Sequence, residues 1–232
     1  MKTIGLLGGM SWESTVSYYR ALNEGVKRAL GGLHSARIVL NSVDFAEIET
    51  LQKSGDWPAT ANILSRAAQS VESAGADFLL IGTNTMHKVA PEIQAAISIP
   101  LLHIADATAE KLKADGVRHV GLLGTRYTME QDFYKGRMRD LYEMDVLVPS
   151  EDEQAVIHQI IFEELCLGII RDESRQRYLA IMDRLHERGA EAIILGCTEI
   201  ALLVEPEHTS IPLYDTTRIH AEEAVRLALM EL

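Results

Sequence analysis

The chain writes one pattern twice, and that repeat limits what it can fold into more than any other feature. Ile4–Gly9 reads IGLLGG and Val120–Thr125 reads VGLLGT, an offset of 116 that Tyr18 and Tyr134 keep. Gly75–Thr85, GADFLLIGTNT, matches Gly189–Glu199, GAEAIILGCTE, at 114. Ile99–Leu102 matches Ile211–Tyr214 at 112. Three matched blocks in one order with small drift indicate a duplicated unit. They predict two similar α/β halves, 1–105 and 106–215, with a last helix over 216–232 packing back on the first half.

The runs inside the repeat set the type of sheet. Thr3–Leu7, Arg37–Asn41, Asp77–Ile81, Pro100–His103, His119–Leu123, Met144–Val148, Glu191–Leu195 and Ile211–Tyr214 are short and apolar on both faces. Such runs belong to parallel strands covered by helices on each side. Helical stretches such as Trp57–Ser73 and Glu173–Arg188 lie between them, so the fold class is α/β, with two doubly wound parallel-sheet domains. Related by a pseudo-twofold axis, they would leave the active site in the cleft between them. A formal net charge of −12 argues against a nucleic-acid partner. Two cysteines make no disulfide framework and suit a reducing, cytoplasmic setting. The apolar start, MKTIGLLGGMSWEST, meets polar residues too soon for a membrane span or a secretion signal and reads as a buried first strand.

Ligands of open parallel sheets sit outside the carboxyl ends of the strands. Four loops leave such ends here: GGMS, GTNTMH, GTRYT and GCTE. All lead into helices, whose first N–H groups suit a carboxylate or phosphate. Cys197 sits in GCTE, and its mirror through the offset of 114 is Thr83. Two groups facing a carbon from opposite sides are what inversion at that carbon requires. A thiol ordinarily ionises near pH 8.5, a value that a helix start lowers.

These residues carry a resemblance. GGMSWEST (8–15), NTMH (84–87), GCTE (196–199) and DTTRIHA (215–221), spread in order along the whole chain, resemble the signature blocks of the aspartate/glutamate racemase family. The resemblance implies two similar α/β domains, often in homodimers. It also implies a small amino-acid substrate and catalysis without pyridoxal phosphate or any other cofactor. Family members usually pair one cysteine before NTMH with another in GCTE. Here Thr83 replaces the first, which excludes a symmetric two-thiol mechanism and leaves Cys197 as the thiol acid/base. By the same resemblance, Asn84, Thr85, Thr125 and Thr198 hold the substrate's carboxylate and amino group, with Met10 and Ser11 beside them. Gln52 is placed to read the substrate side chain, and Glu199 orients its loop or the substrate amine. The mirror segment around Glu163 and Glu164 offers no evident cation.

Other residues read more plainly. Cys166 lies in an amphipathic IIFEELCLGII and reads as core packing, while His87 and His220 read as loop braces. Lys88 is no evidence for a pyridoxal Schiff base. The run Arg171–Arg177 reads as a solvated helix face. GLLGGM lacks the dinucleotide fingerprint, and the histidines lack metal-ligand spacing. Two competitors remain: a single-cysteine decarboxylase of a malonate-like acid, and a non-catalytic amino-acid binder.

Overall fold

A computed structural model describes residues 1–230; the last two residues of the helix expected over 216–232 lie outside the described residues. The chain divides into two compact units, Met1–Ile104 with the stretch from His220 onward, and Ala105–Ile219.

In the first unit the strands are β1 (Ile4–Gly8), β2 (Ile38–Ser42), β3 (Phe78–Ile81) and β4 (Leu101–Leu102). All pairings are parallel, in the order β2-β1-β3-β4. The period of two along a strand sorts its side chains to the two faces of the sheet. Ile4, Leu6, Phe78 and Leu80 join one core. That core includes Tyr18, Leu22 and Val26 of α1 (Trp12–Leu30). Leu7, Leu79 and Ile81 join a second core with Leu64, Ala68 and Val71. Those three belong to α3 (Trp57–Ser73), which follows α2 (Phe45–Ser54). Covering both faces by helices is why β1 and β3 are apolar throughout. A last helix of the unit, α4 (Ala90–Ala96), follows a short 3-10 turn over Thr85–Val89.

The second unit repeats the plan. After α5 (Ile104–Ala114), its strands are β5 (His119–Gly124), β6 (Asp145–Leu147), β7 (Ala192–Gly196) and β8 (Leu213–Asp215), parallel in the order β6-β5-β7-β8. The helices α6 (Arg126–Glu130), α7 (Asp132–Tyr142), α8 (Glu151–Glu163), α9 (Asp172–Glu187) and α10 (Ile200–Leu203) complete it. One core gathers Leu123, Ile193 and Leu195 with Ile157 and Ile160 of α8 and Tyr178, Ile181 and Leu185 of α9.

The duplication extends to a packing detail. A Cβ on Gly5 would stand 2.5 Å from Val71 of α3, and one on Gly121 would stand 2.6 Å from Ile193 and 3.0 Å from Leu185 of α9. The central strand of each sheet therefore uses glycine so that a helix can approach it closely. The final helix, α11 (Thr216–Leu229), begins in the second unit, and its Ala221, Ala224, Val225 and Ala228 join the core of the first. Among the described residues no helix is long and apolar enough to cross a membrane.

Candidate active site

In each sheet the strand order reverses between the central strand and its later neighbour, β1 and β3 in one, β5 and β7 in the other. That switch point is where a crevice opens at the carboxyl ends of parallel strands. In the first unit it brings the loops carrying Met10, Ser11, Thr83, Asn84 and Thr85 side by side, tied by Gly82 N–H donating to the Leu7 carbonyl at 2.8 Å.

The first loop is held tightly. Gly9 has φ +89°, and a Cβ there would collide with the Val43 backbone, so only glycine fits. Its N–H donates to Thr15 Oγ1 at 2.8 Å, and the Thr15 hydroxyl donates to the Ser11 carbonyl at 3.0 Å. Ser11 caps α1, accepting from Ser14 N–H at 3.4 Å. Met10 packs with Ile48 of α2, and Gln52, one turn further along the same helix, is buried as well.

Thr83 is half-buried, while Asn84 and Thr85 are buried at the start of the 3-10 turn. Beneath them lie three buried histidines, His87, His103 and His220. His87 Nδ1–H donates to the Thr83 carbonyl at 2.8 Å, and its Nε2 accepts from Ile104 N–H at 3.2 Å. A carbonyl only accepts and a peptide N–H only donates, so these partners assign the neutral Nδ1–H tautomer. Burial drives the His87 pKa well below the usual histidine value, with His103 and His220 adding to the effect. The His87 ring lies 4.4 Å from that of His103 and 6.0 Å from that of His220. His220 donates from Nε2 to the Leu102 carbonyl at 2.9 Å and meets the Tyr18 hydroxyl through Nδ1 at 2.8 Å. Lys88 stands 4.1 Å over the Trp57 ring.

In the second unit Thr125 follows β5 and caps α6, accepting from Thr128 N–H at 3.4 Å. Beside it, at the end of β7, come Cys197, Thr198 and Glu199. The Cys197 thiol donates to Glu199 Oε2 at 2.9 Å, and the Thr198 hydroxyl donates to the same oxygen at 2.7 Å. Cys197 and Glu199 are 8% and 4% exposed, so this contact is shielded from water. The thiol pKa is pushed well above its ordinary range, first by burial and then by the Glu199 charge. This reverses the expectation that a helix start lowers it. α10 has only four residues, and a buried carboxylate outweighs so short a dipole. The loop is anchored from below by Thr216, whose hydroxyl donates to the Leu195 carbonyl at 2.9 Å.

Glu164 accepts from the Ser174 hydroxyl at 2.6 Å and pairs with Arg171 at 3.5 Å, so a cation does stand near the mirror segment. Cys166 sits in a 3-10 turn, Leu165–Leu167, rather than in the helix proper, and packs against the core of its unit. The run 171–177 is mostly solvated, except that Ser174 is buried and Arg175 turns to donate to the Leu203 carbonyl at 2.8 Å.

Three residues around these loops escape the sequence reading. Thr15 clamps the first loop, His103 joins the histidine cluster, and Tyr178 lies close enough to Cys197 and Glu199 for their charges to raise its pKa. His103 alone had a signal, as a polar residue ending an apolar strand.

Known proteins share this fold. The profile described as Asp/Glu/hydantoin racemase matches residues 7–224. The chain belongs to that racemase family. The broad specificity amino-acid racemase RacX of Bacillus subtilis (strain 168) is 24% identical over 233 residues, covering 96% of each chain. A crystal structure of a Yersinia pestis protein assigned as an Asp/Glu racemase is 54% identical, covers 99% of this chain and 100% of its own, and superposes with a TM-score of 0.92. An aspartate racemase homologue from Pyrococcus horikoshii OT3 is 33% identical with a TM-score of 0.84, covering 98% and 99%. In this chain the strand-end loops of the two units are unlike each other: a thiol beside a carboxylate in one, a threonine over a histidine-braced turn in the other.

Proposed function

We propose that this racemase-family chain interconverts L- and D-amino acids without a cofactor, with Cys197 and Thr83 as the proton-handling groups. The observation that carries the reading is a thiol at the carboxyl end of β7, at the switch point of its sheet, in a chain matched over nearly its whole length by amino-acid racemases. Cys197 exchanges a proton with the α-carbon. Thr83 holds the substrate, passes a proton through water, or acts weakly itself, because a hydroxyl ionises far less readily than a thiol.

Main-chain N–H groups together with Asn84, Thr85, Thr125 and Thr198 hold the α-carboxylate and amino group, with Met10 and Ser11 alongside. Aspartate and glutamate are the default substrates. The buried, neutral Gln52 and the broad specificity named for RacX favour wider acceptance. Rates can differ between the two enantiomers, but the equilibrium between free enantiomers cannot, since their energies are equal.

The test is α-proton exchange in deuterated water over a panel of L- and D-amino acids, followed by NMR. Deuterium enters the α-position, and Cys197→Ala abolishes it. Carbon dioxide release from a substituted malonate without such wash-in would point instead to a decarboxylase. Ligand-induced thermal stabilisation without exchange would leave only a binder.

A further inference from the structure

We propose that Cys197 does not work as an independent acid or base but shares its proton with Glu199, so that the pair is the working proton carrier. The proposal rests on the racemase reading and assigns that site a second proton-handling group. Three observations carry it. The thiol and Glu199 Oε2 are in direct hydrogen-bond contact at 2.9 Å. Both groups are buried, so their contact is shielded from water. The Thr198 hydroxyl donates to the same oxygen at 2.7 Å, which fixes the carboxylate against the sulfur.

A carboxylic acid is the stronger acid by about 4 units in water, so a single proton on the pair rests on sulfur. The ionisable groups that interact with the thiol besides Glu199 are the Cys166 thiol and the Tyr178 phenol, and Tyr178 in turn meets Glu164. Arg171, the nearby cation, is engaged with Glu164. Direct ionisation of the thiol would place two negative charges in contact in a buried setting, which is strongly disfavoured.

Transfer within the pair avoids that state. The S–H proton moves to Glu199 Oε2, leaving a thiolate and a carboxylic acid that donates a hydrogen bond to it. The thiolate takes the substrate α-proton, re-forming S–H, and the pair then holds two protons. In the opposite direction S–H gives its proton to the substrate carbanion, and the Glu199 proton returns to sulfur. The pair with one proton is therefore the base form, and the pair with two is the acid form.

The test is Glu199→Gln, which keeps an acceptor for Cys197 and Thr198 but removes the charge and the proton site. Alkylation of the free protein by iodoacetamide at pH 8 is followed by peptide mass spectrometry, with Cys166 as internal control. Loss of the neighbouring charge raises the thiolate fraction, so Cys197 alkylates at least about tenfold faster while Cys166 stays within about twofold. In the exchange assay kcat falls at least about 100-fold with KM within about threefold, and Glu199→Asp restores part of kcat.

An unchanged Cys197 alkylation rate overturns the proposal. So does a raised KM with kcat kept, which would make Glu199 a ligand of the substrate amine. Should Glu199→Gln fail to fold, the wild-type alkylation profile decides. Cys197 alkylates with a midpoint at least about one unit above the ordinary thiol value, and a midpoint at that value refutes the pair. Alkylation needs no substrate, so a wild-type protein that exchanges no α-proton defeats the racemase reading separately.

Discussion

His87 makes the stability of the first unit depend on pH in a way that can be worked out beforehand. Its ring is buried and neutral, donating to the Thr83 carbonyl and accepting from Ile104 N–H, and burial lowers its pKa well below the ordinary value. In the unfolded chain the ring titrates near 6.5. As pH falls through that value the unfolded state binds a proton that the native state refuses. Stability therefore rises with pH in this window and is lost on acidification, beginning at the unfolded value and continuing down to the depressed native one. The slope approaches about 1.4 kcal/mol per pH unit, and the loss between pH 7.5 and pH 5.0 reaches at most about 2 kcal/mol for one such ring.

The perturbation that isolates this is His87→Asn, whose amide still donates to the Thr83 carbonyl but carries no titrating group. Urea unfolding of both proteins at pH 7.5 and pH 5.0 gives a double difference in which the carboxylates common to both cancel. The variant is weaker at pH 7.5, yet loses less stability on acidification, by up to about 2 kcal/mol. Equal losses in the two proteins would refute the assignment of a buried neutral His87. A larger loss in the variant would reverse the sign and refute it as well.

Two further outcomes follow from the packing and from the mirror position. Gly121→Val forces methyl groups against Ile193 and Leu185, where even a Cβ stands 2.6 and 3.0 Å away, and costs about 1–3 kcal/mol or more by overpacking, read as a lowered urea midpoint. Thr83→Cys supplies the second thiol, so exchange rises for the enantiomer that the wild type handles slowly; NMR wash-in rates for each enantiomer that both stay unchanged would remove Thr83 from the proton path.

All eight strands are readable in the sequence: the central ones, β1, β3, β5 and β7, are apolar runs buried along nearly their whole length, and the half-exposed edge strand β2 begins with the apolar run Ile38–Leu40. The repeat then orders them, and the two sheets have matching strand orders. The strand expected over Pro100–His103 shrinks to Leu101–Leu102. Pro100 has no N–H to give, though its carbonyl accepts from Leu79 N–H at 2.9 Å, and the His103 ring goes to the histidine cluster. What could not be read was the state of Cys197. The spelling GCTE puts a carboxyl two residues from a thiol, but their contact depends on Glu199 turning to φ −80°, ψ −19° and on both being buried. Burial is a property of the assembled core, and it reversed the direction of the thiol's pKa.

The repeat also shows how one scaffold comes to hold unequal chemistry. Through the offset of 114, Thr83 mirrors Cys197, Thr85 mirrors Glu199 and His87 mirrors Ala201. The strands, the switch point and the short helical turn after it are kept in both halves. One half carries an ionisable pair with the Tyr178 phenol close by. The other carries two hydroxyls, with a neutral ring holding the main chain of its loop. A thiol–carboxylate pair can store and release a proton, whereas a threonine cannot ionise at neutral pH without a strong base. On the proposed function, proton storage falls to the second unit and geometric support to the first.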